Sequence, residues 1–198
     1  TAPLLSLYVT PPIGKLVRHI SSVIGWAAIQ APLVTGIIVS VVIGICLTLP
    51  ISSAAICAGL VLTGSAVAQG SSEGLAIAGA AAVAGCCAQM VGFAVISFKD
   101  NGFGGIVSQG IGTSMLQVPN ICRKPVIWLP VIITSAVLGP LATTLFQMKN
   151  FGISAGMGTS GLVGCIGTFN VMTEAGELWW IVLIKIAVLH FLLPGLLV

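Results

Sequence analysis

The sequence predicts an all-α polytopic membrane protein, and three observations carry that expectation. The first is composition: 57% of the 198 residues are apolar, and the mean hydropathy is +1.17. The second is charge. Seven Lys or Arg and four Asp or Glu are present, where a soluble domain of this length would carry ~50 charged residues. The third is spacing. No charged residue lies in the 54 positions between Arg18 and Glu73, or in the 25 between Glu73 and Lys99. One crossing of the hydrocarbon takes ~20 apolar residues, so the first gap holds two membrane-length segments and the second holds one. These observations exclude a soluble domain. They exclude disorder, which needs low hydrophobicity and high charge, and nucleic-acid binding, which needs a basic face.

The elements follow in order. Residues 1–20 are mixed and close in a basic cluster of Lys15, Arg18 and His19, which reads as an entry loop or the end of an earlier helix. Trp26 to Leu49 is the first strong membrane helix. Trp26 sits where indoles collect at the interface, and Pro50 ends the helix by disfavouring α geometry in the residue before it. Ile51 to Gln69 is apolar but rich in small and hydroxyl residues, and Ser52-Ser53 is a possible start for a broken segment. Gly74 to Phe98 is so rich in Ala and Gly that neighbouring backbones can approach it closely, so it should be buried among other helices. Lys99 to Gly102 is a polar turn. Val126 to Gln147 is a second clear crossing, bent around Gly139-Pro140. Lys149-Asn150 is a loop, Glu174 and Glu177 form an acidic loop, and Leu178 to Val198 is a last crossing entered through Trp179 and Trp180.

Two short segments between these crossings repeat one pattern. Ser108–Leu116 aligns with Ser154–Leu162 at an offset of 46 residues, as S-x-G-[IM]-G-T-S-x-L, with six of nine positions identical. The copies sit in Phe103–Asn120 and Phe151–Phe169 and are separated by one crossing. Glycine costs ~1 kcal/mol against Ala in a helix, and broken backbone at membrane depth survives only inside protein or along a cavity. Paired glycine-interrupted segments are the best sequence pointer to a midplane binding site in a transporter. The expectation is four or five transmembrane helices plus two re-entrant hairpins that form an inverted repeat, entering from opposite faces. Two tightly packed small-residue helices are the plainer alternative.

Several runs together resemble one family: Leu49–Ile56, Gln89–Phe93, Asn101–Gly105, Gln109–Asn120, Gly139–Thr144 and Gly156–Gly164. They are similar to the stand-alone enzyme IIC-like membrane domain of the bacterial phosphotransferase system, over nearly all of residues 20–198. The resemblance implies a multi-pass protein of the bacterial inner (plasma) membrane. It also implies solute uptake, of a sugar or sugar-like compound, with a cytoplasmic IIB-type protein as partner. Family chains are longer at the N-terminus, and this one opens on Thr1 without a signal pattern. Residues 1–198 are therefore expected to be a single membrane domain, the C-terminal part of a longer transporter. The better-known sugar IIC domains carry an acid or a histidine in the hairpin region, and neither segment here does.

A neutral polyol calls for amides and hydroxyls. The expected substrate-lining residues are Gln89, Gln109, Gly112, Thr113, Ser114, Asn120, Gly158, Thr159 and Ser160. Gln69, Gln117 and Asn170 are further amides in the same stretches. The competing role for each is an interhelical hydrogen bond, worth ~0.6 kcal/mol on average in a bilayer. Stacked backbone N–H groups in a glycine turn also suit an anion, so a carrier for a small organic anion stays open. So does a non-transporting receptor or scaffold, and a homodimer is expected. Lys185 lies ~12 Å along a helix from Glu177 and can snorkel back to the interface. His190 reads as a satisfied structural histidine, with a proton relay as the other role. The six cysteines show no C-x-x-C pair and no nearby His at ligand spacing, and Cys86-Cys87 reads as two small fillers. No metal, cofactor, hydrolytic or nucleotide motif is found, and no phosphorylatable motif marks a catalytic residue. If Phe103–Asn120 is a hairpin, Lys99, Arg123 and Lys124 share one face and Lys149, Glu174 and Glu177 the other. The excess of basic residues then puts the first face in the cytoplasm.

Overall fold

The computed structural model describes residues 26–64 and 71–198, and among them every regular element is helical. The basic cluster at Lys15–His19 and Gln69 lie outside the described residues. The helices that form or lie within the apolar stretches below are α1 (Pro32–Thr48), α3 (Ser71–Ile96), α6 (Leu129–Pro140), α9 (Trp179–Ile186) and α10 (Leu193–Leu197). The others are α2 (Ser53–Gly64), α4 (Phe98–Gly105), α5 (Val118–Arg123), α7 (Gly152–Ala155) and α8 (Val163–Glu174).

Among the described residues, three stretches are long and apolar enough to cross a membrane: Glu73–Ile96, Pro125–Leu145 and Trp179–Leu197. The expectation is four or five over the whole chain, and one stretch expected to cross is interrupted locally. The helix expected over 26–49 breaks at Ala31 (φ −139°, ψ 67°), so α1 has 17 residues. Ala31 precedes Pro32, and a proline pushes its predecessor out of the α region. The stretch after Pro50 is helical over Ser53–Gly64, α2.

Helix α3 is the axis of the molecule. Ala81, Val83, Ala84, Cys86, Cys87, Ala88, Gln89 and Met90 have no exposed surface. A helix apolar on every face has to be wrapped by others, and its Ala and Gly let them come close. On one side α1 crosses so tightly that a Cβ on Gly85 would strike the Ser40 carbonyl. Gly139 of α6 likewise faces the carbonyl of Gly36, and Ser40 Oγ donates to Ser135 O at 2.7 Å to tie α1 to α6. On the other side Ala80, Ala84 and Ala88 pack with Leu138, Met172, Val182, Ile186 and Leu189, which brings α8 and α9 onto α3.

The crossing at Pro125–Leu145 is continuous, with a wider π turn over Leu141–Leu145 directly after Pro140. A second π turn, Ala187–Leu192, directly precedes the helix that holds Pro194. Each proline lacks an N–H for the α ladder, and inserted π turns are one way a helix absorbs that loss. The expected polar turn at 99–102 is instead one helical turn, stopped by Gly102 at φ 55° and ψ −150°.

Charge is segregated as expected. Lys149 pairs with Glu73 at 3.0 Å, at the opposite end of α3 from Lys99. Lys185 reaches Glu177 at 2.7 Å, turning back towards the start of its helix. Trp26 and Trp179 are more than 60% exposed. The six cysteines are free, and His190 is buried with Nδ1 3.4 Å from Cys165 Sγ.

Candidate functional site

The two repeat copies share an outline and differ in backbone. In the first, a π-helical arm (Ile106–Gly112) stops at Thr113 (φ −158°, ψ 138°). A 3₁₀ turn then starts at Ser114 and feeds α5. In the second, α7 stops at Gly156, the chain turns through Gly158 (φ 54°) to Thr159, and a 3₁₀ turn starts at Ser160 and feeds α8. Both copies run from a helical arm through a break into a 3₁₀ turn that starts at Ser, but matched residues differ: the first arm continues through Gly112 to an extended Thr113, while the second ends at Ala155 and turns through Gly158 (φ 54°) and Thr159 (φ −84°, ψ 0°). In the first copy the chain kinks at Thr113. Gln117 Nε2 donates to Gln109 Oε1 at 2.8 Å, whereas eight residues of straight helix would separate them by ~12 Å.

The tips meet. Ser160 Oγ donates to the Gly112 carbonyl at 2.9 Å, and Thr159 Oγ1 donates to the Gly110 carbonyl at 2.5 Å. Hydroxyls of the second copy therefore satisfy carbonyls that the broken helix of the first leaves without partners. Thr159 is fully buried. Gly158 lies on α3, where a Cβ would come within 2.6 Å of Cys86 Cβ.

Three networks of neutral polar side chains hold this arrangement. The first centres on Gln89. Its Oε1 accepts from Trp128 Nε1 at 2.9 Å and Thr48 Oγ1 at 3.1 Å, and its Nε2 donates to Ser135 Oγ at 3.3 Å. The indole can only donate, which fixes the amide orientation. Because Thr48 gives its proton to Gln89, the 3.0 Å contact between Thr48 and Ser114 has Ser114 as donor. The first tip is thereby moored to α1, α3 and the start of the α6 crossing.

The second is an amide row: Gln109 Nε2 to Ser97 Oγ at 2.9 Å, Gln117 to Gln109, and Asn120 Nδ2 to Gln117 Oε1 at 2.9 Å. The third is Asn150, fully buried at the root of the second segment. It donates to Gly164 O and Thr168 Oγ1 and accepts from Phe151 N and Ser154 Oγ.

The expected lining residues divide accordingly. Gly112, Thr113, Ser114, Gly158, Thr159 and Ser160 come together at the paired tips. Gln89 lies behind the first tip with its partners supplied by protein. Gln109 and Asn120 belong to the amide row, away from the tips, and Asn170 is exposed on α8. Sequence reasoning missed Thr48, Ser135 and Asn150. Thr48 and Ser135 lie in apolar stretches and Asn150 in a loop, and nothing local marks them as partners of Gln89, Gly164 or Thr168.

Open space adjoins the amide row. One cleft of about 430 Å³ is lined by Ser97, Asp100, Gln117, Asn120, Arg123 and Lys124, among others. A neighbouring one of about 330 Å³ shares Asn101, Gln117 and Asn120 and adds Gln109 and Ser108. Both fall within the ~300–1,000 Å³ typical of small-molecule sites.

The matched threonines do different work. Thr113 Oγ1 caps the 3₁₀ turn by accepting from Met115 N, while Thr159 bridges the two copies. Thr159→Val should lower the thermal midpoint more than Thr113→Val. The bridge leaves a buried carbonyl unpaired, at a cost of ~1–3 kcal/mol, whereas the cap is worth ~1 kcal/mol. Melting in detergent measures both, and equal shifts would contradict the assignment.

Against known proteins, a family model described as "Phosphotransferase system, EIIC" matches residues 1–198. No curated protein and no solved structure matches the chain.

Proposed function

The chain belongs to the phosphotransferase system EIIC family, and from that premise we propose that it is a permease moving a small polar solute past the paired glycine-broken segments. The observation that supports this reading is the junction itself. Two glycine-broken segments meet beside the buried helix α3, where hydroxyls of the second donate to carbonyls of the first. Few neutral bonds hold the tips, and their separation would expose the Gly110 and Gly112 carbonyls together with Thr159 and Ser160. Those are the hydroxyl and carbonyl groups a polyol needs. In this reading the two segments are re-entrant and oppositely directed, and the solute is a sugar or a compound like it. A cytoplasmic IIB-type protein supplies phosphorylation, and the chain works as a dimer in the bacterial inner membrane.

Uptake of labelled sugars and sugar alcohols tests the reading, in cells without permeases of their own. Accumulation of at least one of them is expected, and its loss in Gly158→Val. Direct tip-to-tip contact equally suits a non-transporting receptor or scaffold. That second reading wins if no compound is taken up although the protein is inserted and folded.

Sidedness is tested separately. The reading places Lys124 in the cytoplasm and Lys149 outside. In a Cys122→Ser background, which removes an exposed neighbouring thiol, an impermeant maleimide added to intact cells should label Lys149→Cys and leave Lys124→Cys unlabelled. The reverse pattern would invert the topology.

A further inference from the structure

The clefts beside the amide row differ chemically from the tip junction. Gln109, Gln117 and Asn120 are joined head to tail, from buried Ser97 out to exposed Asn120. A primary amide has two N–H groups and two lone pairs on its oxygen. Each bond in the row uses one of these per partner, so every amide keeps a second N–H, and the terminal Asn120 keeps its oxygen. A row of this kind, spaced along a cleft, matches successive hydroxyls of a polyol.

Charge adds a second element. Lys149 and Lys185 are each neutralised by a glutamate. Arg123 and Lys124 line the larger cleft and, among the described residues, form no ion pair, although Asp100 lines the same cleft. Two cations against one carboxylate leave the cleft net positive, and Arg is suited to bidentate binding of a carboxylate or phosphoryl group. Asp100 can accept from a ligand hydroxyl.

We propose that this cleft is a binding site for a small polyhydroxylated anion, its hydroxyls read by Asn101, Gln117 and Asn120 and its charged group by Arg123 and Lys124. The proposal deepens the transport reading and rests on it only for the path by which the bound molecule leaves. The same chemistry, hydroxyls beside an anionic oxygen group, is offered by a soluble sugar acid and by a glycerol-phosphate lipid headgroup.

Gluconate and sorbitol separate charge from hydroxyls, because they have the same six-carbon chain. Thermal stabilisation of the full chain is measured with each, in a detergent without a sugar headgroup. Gluconate should bind at least 10-fold more tightly than sorbitol. Arg123→Gln with Lys124→Gln should erase that preference, and Asn120→Ala should weaken both ligands several-fold. All three residues are exposed, so the variants should fold. A second arm uses nanodiscs of phosphatidylglycerol or phosphatidylcholine. Stabilisation by phosphatidylglycerol that depends on Arg123 and Lys124 supports the site with a headgroup as its source, and competition by gluconate assigns it to the soluble anion.

Equal affinity for gluconate and sorbitol, with no dependence on lipid charge, overturns the proposal. So does a gluconate preference that survives in the double variant. Binding needs no transport, so a positive result here with no uptake in cells would reject the permease reading and leave the site standing.

Discussion

Replacing Gly158 should be among the most damaging single changes in this protein, while the matched change at Gly112 should be nearly silent. Gly158 holds φ 54°, and a Cβ there would meet Cys86 Cβ at 2.6 Å and Cys86 C at 2.8 Å. Left-handed backbone costs a side-chain-bearing residue about 1–3 kcal/mol, and overpacking a closed site adds about 1–3 kcal/mol. Gly158→Ala should therefore destabilise by roughly 2–6 kcal/mol, the sum of those two ranges, and Gly158→Val by more. Cys86 lies on the buried face of α3 and cannot step aside without moving α1. At Gly112 the nearest atom to a new Cβ is Val107 O at 3.7 Å, an ordinary contact. Gly112→Ala should shift stability by less than about 1 kcal/mol, with Ala's better helix propensity working in its favour. Thermal melts of the two variants in one detergent decide the matter, and comparable losses at both positions would refute the asymmetry.

Gln89→Leu is the second large effect. The substitution keeps the volume similar but removes one acceptor from Trp128 and Thr48 and one donor to Ser135. Thr48 can fall back on the Gly44 carbonyl at 3.5 Å, whereas the Trp128 indole N–H has no other partner. One orphaned buried group costs about 1–3 kcal/mol, and each further bond lost in a bilayer protein about 0.6 kcal/mol. A loss of roughly 2–4 kcal/mol follows from those terms. Trp128→Phe should cost less, because Gln89 keeps Thr48 and Ser135. In a double-mutant cycle the two changes should be clearly less than additive, since they break the same bond. Strict additivity would show that Gln89 and Trp128 act independently. The variant should also loosen the first tip, because Ser114 is moored through Thr48 to the same amide.

These two residues show what one-dimensional reading can and cannot do. The repeat makes Gly112 and Gly158 equivalent in sequence, but Gly112 is helical and Gly158 holds φ 54°. Both copies touch α3, and the difference lies in backbone and fit: Gly158 holds φ 54° with Cys86 within 2.6 Å of a new Cβ, whereas a Cβ on Gly112 meets nothing nearer than 3.7 Å. In sequence, Gln89 reads as a lining residue, because an amide in an apolar run must be satisfied by something. That it is satisfied by Thr48, Trp128 and Ser135 depends on three helices meeting at one height.

The sequence by itself determined the helical class, the membrane setting, the family and the burial of α3. Each follows from composition, from motifs within one stretch of chain, or from small residues that admit neighbours on every side. Charge segregation and the return of Lys185 to Glu177 were legible too, since they depend only on helix rise and side-chain length. Tertiary structure alone decided which polar groups pair. Hydrogen bonds between Ser160 and Gly112, Gln89 and Trp128, or Asn150 and Gly164 are short-range and directional, so they exist only where packing brings separate segments within about 3 Å. It also decided the interruption at Ala31, which lies in backbone angles that hydropathy does not record.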